Sequence, residues 1–309
     1  MSIITSPQEI QGQIGSGTCV TIGNFDGVHV GHQTLIKTLN QRAKQKGLYS
    51  VVFTFDPHPM SVIAGQTPPF ITQTQQKLEL LQKMQPDYVL CLHFNQEIAN
   101  LSPEDFVEIY LVNGLNIKDL IIGHDYTFGK GRRGNFELLQ QLGETHGFNV
   151  EQLQAIIKDA DVVSSTRIRT LIQEGKVEEA EPLLGRRFQV SGKVITGQKR
   201  GGPLLGIPTA NLELKDELVP KPGVYAVWAE HEGHDHPAVA NVGHNPTFGE
   251  EALSVEVHIC NFTKDIYNHE LRINFVKRLR EEKKFSGKEE LLTQIHADIQ
   301  QARDILDSP

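Results

Sequence analysis

Cysteine is scarce in this chain: Cys19, Cys91 and Cys260 are the only three among 309 residues, and none of them forms a CxxC pair. That spacing excludes a disulfide framework and a cysteine-built zinc site, and leaves thiols that behave as small buried hydrophobes. Long apolar runs are missing too. No stretch reaches the length of a membrane span, and the opening MSIITSPQEIQGQ lacks the basic start and apolar core of a secretion signal. Positive charge is in deficit, with a formal net charge of −8 and a pI near 5.9. A chain whose chief partner is nucleic acid needs a basic face, so that class is excluded. The expectation is a cytoplasmic chain with no membrane and no nucleic-acid partner, a monomer or weak homo-oligomer that handles small molecules.

What is present is ordinary globular material. Hydrophobic residues make up 39% and charged residues 22%, and no repeat or low-complexity tract interrupts them. The length exceeds the roughly 250 residues at which one core stops growing, so two domains are expected. In the first half, the apolar runs at Thr18 to Gly23, Tyr49 to Phe55, Asp87 to Leu92 and Asp119 to Gly123 read as buried parallel strands. Amphipathic stretches between them (HQTLIKTLNQRAKQKG, TQQKLELLQKM, SPEDFVEIYLVN and NFELLQQLGETHG) read as helices. The alternation predicts a doubly wound α/β sheet that binds ligands beyond the carboxyl ends of its strands.

After two short helices in SSTRIRTLIQEGKVEEAEPLLG, the segments RFQVSGKVITG, TANLEL, GVYAVWAE, HPAVANVG, LSVEVHIC and LRINFV are short and β-branched, with Gly, Pro and Asn turns between them. They predict a small antiparallel β-barrel, closed by a final helix that Ser286 is expected to cap. The fold class is therefore α/β plus all-β, with domains at 1–185 and 186–309.

The chemistry concentrates in a few places. TIGNFDGVHVGHQTLI runs from a strand through Gly23 and Gly27 directly into a helix, which leaves backbone N–H groups aimed at the turn. His29 and His32, framing Gly31 at the start of that helix, can both donate to a phosphate chain. Later, VSSTRIRTLI brings Ser164, Ser165, Thr166 and Arg169 to another helix start, where hydroxyls, free N–H groups and a guanidinium converge. With Gly23, Phe25, Asp26, Gly27, His29, Gly31 and His32 in place, this half resembles the HxGH nucleotidyltransferase superfamily. The resemblance implies attack on the α-phosphate of ATP, release of pyrophosphate, and electrostatic stabilisation by the histidines with no covalent intermediate. It also implies that Ser165, Thr166 and Arg169 form the second ATP-gripping motif.

TFDPHP and GHDYTFGKGRRGN follow two of the strands and are more elaborate than turns require. With the histidine motif they resemble the FMN adenylyltransferase half of bacterial riboflavin kinase/FAD synthetases, over Thr18 to Gly185. By that likeness Asp56, His58, Pro59, Asp125, Tyr126 and Phe128 border the flavin. Two rival patterns compete here. Gly129, Gly131 and Gly134 spell GxGxxG before a helix, with Glu151 downstream, as in a dinucleotide-binding dehydrogenase, but five residues separate Gly123 from the first of these glycines. A Walker A reading of GHDYTFGKG is one residue too long, and no Ser or Thr follows Lys130.

In the second half, SGKVITGQKRGGPLLGIPTANLEL packs Gly192, Lys193 and Gly197 into a glycine-rich, basic approach to Thr209 and Asn211. Two apart on a strand, Thr209 and Asn211 can offer two oxygens to a magnesium ion. SVEVHI holds Glu256 and His258 on a later strand. This half resembles the riboflavin kinase barrel from Arg187 to about Leu306, through PTAN, GVYAVW, NVGHNPTFG, SVEVHI and LREEKKF. The likeness implies Mg-ATP at Gly192, Lys193, Gly197, Thr209 and Asn211, metal contacts from Thr209 and Asn211, Glu256 as catalytic base, and Arg280 near the flavin. Two departures stand out: Gly202, Pro203, Leu204, Leu205, Gly206 and Ile207 replace the usual Gly-Arg-x-Leu-Gly-Phe, and Tyr267, Asn268 and His269 replace a Tyr-Gly-Lys turn. The joint expectation is synthesis of FMN and then FAD from riboflavin and ATP. The rival is a flavin-binding regulator without turnover, against which intact His29, His32 and Glu256 speak.

Overall fold

Why the first-half strands read as continuous apolar runs is plain in the computed structural model, which describes residues 2–65, 69–195, 207–214, 217–244 and 253–307. Six strands, β1 (Ser2–Ile4), β2 (Thr18–Ile22), β3 (Tyr49–Asp56), β4 (Tyr88–His93), β5 (Ile117–Ile122) and β6 (Asn149–Gln152), form one sheet in the order β1-β4-β3-β2-β5-β6. Every pairing is parallel. Alternate residues feed two separate cores: Val20, Ile22, Phe53 and Ile122 lie on one face, and Cys19, Val52, Val89 and Ile121 on the other. Both faces are buried, so the strands are mostly apolar, and buried polar residues such as Ser50 and Asp119 are bonded, to Asp87 and Lys46 respectively.

Helices α1 (Val30–Lys46) and α3 (Thr74–Lys83) cover the second face through Leu35, Ile36, Leu39 and Leu81. The first face is covered by α5 (Pro103–Phe106), which runs on as a π-helical segment over Val107–Gly114, and by α6 (Phe136–His146). The small helices α2 (Pro59–Ile63) and α4 (Gln96–Asn100) follow β3 and β4. A hairpin of β7 (Ile157–Lys158) and β8 (Asp161–Val162) completes this unit. The strand order reverses at β2, whose neighbours β3 and β5 lead the two halves of the sheet. The crevice of such a sheet lies beyond the carboxyl ends of the strands at that reversal, here at Gly23 and Gly123.

The chain divides into two compact units, Met1–Ser164 and Ser165–Pro309. The second opens with α7 (Ser165–Gln173) and α8 (Val177–Leu184), and α8 packs on barrel strands β9 (Phe188–Ile195) and β14 (Glu270–Arg280). With β10 (Ala210–Leu212), β11 (Gly223–His231), β12 (His234–His244) and β13 (Leu253–Ile259), these close an antiparallel barrel in the order β10-β13-β12-β11-β14-β9. The last helix, α9 (Lys288–Leu306), lies against β11, β12 and β14 with Ala302 and Leu306 buried. Ser286 does not cap it. The N-cap is Gly287, and the Ser286 amide and hydroxyl both donate instead to Glu290, at 3.0 and 2.7 Å. The three cysteines are free and buried, and burial pushes the Cys19 thiol up to about 12.

Candidate functional site

In the α/β unit the turn after β2 is strained into shape. Phe25, Gly27 and Val28 all have positive φ, at 52°, 82° and 40°. Asp26 anchors the turn: its buried carboxylate accepts the amides of Ile71 and Thr72 at 3.0 and 3.1 Å, and the Thr72 hydroxyl accepts the Gly27 amide at 3.1 Å. Asp26, offered by the sequence as an ATP contact, is thus first a support for the loop. A side chain at Gly27 would press Ile71 at 3.1 Å, and one at Gly31 would press the His29 ring at the same distance, so both glycines leave room for neighbours.

His29 is the N-cap of α1, its Nδ1 accepting the His32 amide at 3.4 Å. A neutral ring that accepts at Nδ1 carries its proton on Nε2, which makes that nitrogen a donor. The two imidazoles stack at 3.6 Å between centroids and 16° between planes, and Phe25 meets His32 edge-on at 5.2 Å. Burial, then His29, then Lys77 hold His32 well below the usual histidine range, so His32 is neutral. Its Nδ1 is buried and has no hydrogen-bond partner among the described residues. Lys77, invisible as a site residue in the sequence, is itself buried, donates to the Phe55 carbonyl at 2.9 Å, and has its pKa lowered by that burial. A lysine on the buried side of an otherwise apolar helix stripe was the available signal.

The residues expected to border a flavin divide into exposed and structural ones. Asp56 accepts the Thr74 hydroxyl at 2.6 Å, and His58 caps α2 by accepting the Met60 amide at 3.1 Å, with Pro59 as the first helical residue. Asp125 is exposed in the loop after β5, while Tyr126 stacks on Phe128 with centroids 5.6 Å apart. Phe128 belongs to the core and packs on Phe106. The GxGxxG glycines have structural causes: a side chain on Gly129 would meet Pro103 at 2.7 Å, and one on Gly134 would meet the Phe128 ring at 2.4 Å. Glu151 is engaged by Arg42 rather than placed toward a ribose. Ser165, Thr166 and Arg169 lie in the first turns of α7, which belongs to the second unit.

In the barrel, Glu256 on β13 stands in register between Asn211 of β10 and Asn241 of β12. It lines a cavity of about 290 Å³ together with Thr209, His258, Arg280, Asp298 and an apolar patch from Phe285, Leu291 and Ile295. Burial raises the Glu256 carboxyl above the usual range. Arg280 is gripped by the buried carboxylate of Asp298, at 2.9 Å from Nε and 2.7 Å from a terminal nitrogen. Asp298 was not foreseen, although an aspartate in the apolar stripe of a closing helix is a visible anomaly. His258 holds the PTAN segment through its Nδ1, 2.9 Å from the Pro208 carbonyl. Thr209 also borders a second cavity, of about 280 Å³, walled by Val194, Pro208, Phe262 and Tyr267.

Thr209 stands one residue before β10, and Asn211 lies within it with a buried Oδ1 that has no partner among the described residues. A hard cation is the kind of group such an orphaned oxygen fits. Gly192 and Lys193 border neither cavity. Gly192 is required because the Glu213 carbonyl would come within 2.4 Å of any side chain there. Gly197 and residues 202–206 lie outside the described residues.

Known proteins agree with this two-part reading. A model of the FAD synthetase family matches residues 12–167, and one of the riboflavin kinase family matches residues 184–306. A Pseudomonas fluorescens bifunctional riboflavin kinase/FMN adenylyltransferase is 41% identical over 93% of this chain and 92% of its own length. The similarly named protein of Bacillus subtilis is 37% identical over 97% and 96%. A crystal structure described as a macrolide-efflux protein from Streptococcus pneumoniae superposes with a TM-score of 0.84 at 31% identity, covering 98% of both chains.

Proposed function

Because the chain belongs to the bifunctional riboflavin kinase/FMN adenylyltransferase family, we propose that its halves catalyse successive steps: the barrel makes FMN from riboflavin and ATP, and the α/β half makes FAD from FMN and ATP.

In the barrel, a riboflavin hydroxyl attacks the γ-phosphorus of ATP. The new O–P bond forms as the bond to the β-phosphate oxygen breaks, ADP leaves, and the hydroxyl proton passes to Glu256. A carboxylate whose pKa is raised by burial is a better proton acceptor than an exposed one, and it shares its cavity with Arg280, proposed here as a flavin neighbour. The apolar wall from α9 suits the flavin ring, and the adjoining cavity suits the nucleotide, with Thr209 at the boundary between them. Asn211 and Thr209 would hold magnesium, which when bound neutralises phosphate charge. Gly192, Lys193 and Gly197 are the proposed phosphate-side residues.

In the α/β half, a phosphate oxygen of FMN attacks the α-phosphorus and pyrophosphate leaves. The attacking oxygen is already ionised, so no base is needed. His29 and His32 act as neutral donors whose hydrogen bonds strengthen as charge gathers on the phosphates. Gly23, Phe25 and Asp26 frame that turn, Ser165, Thr166 and Arg169 grip the nucleotide, and Asp56, His58, Pro59, Asp125 and Tyr126 border the flavin with Phe128 as support. The reading is carried by one observation: each half has, at its motif, a half-buried ionisable side chain, His32 or Glu256, whose burial disfavours its charged form. Among the described residues no helix is long and apolar enough to cross a membrane. We place the protein in the cytoplasm as a monomer or weak homo-oligomer. Incubation with riboflavin and Mg-ATP, followed by chromatography of flavins, is expected to yield both FMN and FAD; binding of flavin without either product would instead favour a regulator.

A further inference from the structure

At the tip of the β11–β12 hairpin stands a second group of ligating side chains, none of them among the residues assigned above. His231 closes the hairpin, in register with His234, and a two-residue turn of Glu232 and Gly233, with φ of 52° and 78°, links the strands. Such a turn is the type I′ form that fits strand twist. His269, in the connection that enters β14, comes to the same place: His231 Nε2 and His269 Nδ1 are 3.2 Å apart. A carboxylate oxygen of Glu232 completes a trio whose ligand atoms all lie within 4.8 Å of one another.

Two imidazole nitrogens bound to one tetrahedral ion at about 2.0–2.1 Å lie about 3.3–3.4 Å apart, so the observed separation needs little adjustment. The surroundings favour a cation: Glu230, Glu232 and Glu270 line this hollow, opposed by Arg272 alone among its charged residues. His231 is only 5% exposed, and its ring is steadied by Phe262 edge-on at 5.9 Å. His269 occupies one of the positions where this chain departs from the Tyr-Gly-Lys turn of the kinase pattern.

We propose that His231, Glu232 and His269 form a site for a divalent transition-metal ion of the zinc type, with two imidazoles and one carboxylate and a remaining position for water. Nitrogen ligands select such an ion over magnesium or calcium, which take oxygen. The ion would tie the hairpin to the β13–β14 connection. That connection also carries Phe262, Ile266 and Tyr267, which wall the cavity proposed for nucleotide, and the His269 amide donates to the Ile266 carbonyl at 3.1 Å. Occupancy would therefore stiffen one wall of the kinase site.

The test uses tag-free, full-length protein titrated with Co(II) and followed by visible absorption, with displacement by Zn(II). The proposal predicts one Co(II) per chain with the strong bands of a four- or five-coordinate site, and a higher barrel melting temperature as Zn(II) rises. His269→Gln and Glu232→Gln alter exposed residues, so both variants are expected to fold. Each should weaken Co(II) binding at least as much as the roughly 10- to 100-fold that outer-shell changes cost. Unchanged affinity in both variants would assign binding elsewhere among the thirteen histidines and overturn the proposal. Absence of Co(II) binding at micromolar metal would overturn it as well.

Discussion

The two halves use one physical effect in opposite directions. In the α/β unit burial pushes His32 down, and in the barrel burial pushes Glu256 up. Both shifts follow from the cost of holding a charge out of water, and in both the neutral form gains. The consequences differ because the two reactions ask different things. Adenylyl transfer from an already ionised phosphate needs donors that do not repel each other, and two stacked imidazoles serve only if they are not both charged. Phosphorylation of a hydroxyl needs a base, and a carboxylate displaced toward neutrality is a stronger one.

The largest expected effect separates the halves outright. Glu256→Gln should slow FMN formation by about 10²–10⁴-fold, the usual worth of general-base catalysis, while FAD is still made from supplied FMN. Loss of both steps on flavin chromatography would break the comparison. His29→Ala should do the converse, cutting FAD formation about 10²–10³-fold with FMN accumulating, as removal of one preorganised donor does elsewhere. Next comes Arg280→Ala, which leaves the Asp298 carboxylate buried without its partner. A loss of about 3 kcal/mol is expected in denaturant unfolding of the barrel, with Asp298→Ala costing less because the partly exposed guanidinium keeps the Glu281 carbonyl as a partner. Gly134→Ala, which presses on the Phe128 ring, should cost the α/β unit about 1–3 kcal/mol.

The smallest effects sharpen the opposition through pH. The folded-state pKa of Glu256 is raised, so the kinase step should lose activity on acidification at a pH above that of an ordinary glutamate. Its stability contribution is full below the unfolded value and is lost as pH rises through the folded one. Glu256→Gln should therefore melt at the same temperature as the parent, or higher, at neutral pH, although it is inactive as a kinase. His32 has the opposite sign. Its contribution is present above the ordinary histidine value and is lost as pH falls toward the depressed one, so acidification through that window should destabilise the α/β unit, and His32→Gln should remove the dependence.

How much of this was legible in the sequence depended on burial. β2, β3, β4 and β5 announced themselves because both faces of the sheet are covered. β6 (NVEQ) has no fully buried residue, and β1 has only three residues, so neither edge strand left a pattern. The histidine turn stood out because its glycines and its place at a helix start restrict what else it can be, whereas Glu256, one glutamate on a strand, was singled out only through the likeness to the kinase barrel. Lys77 and Asp298 were hidden because their meaning depends on partners distant in sequence: the Phe55 carbonyl for one, Arg280 for the other. Ser286 misled for a local reason, since it bonds Glu290 as a capping serine does while Gly287 takes the cap position.

Mixing the two inactive partners probes the division of labour most directly. Glu256→Gln and His29→Ala proteins, each unable alone to carry riboflavin through to FAD, should together produce FAD as FMN released by the second is consumed by the first. If the mixture makes no FAD under conditions where the parent does, the two chemistries do not reside in separate halves of this chain.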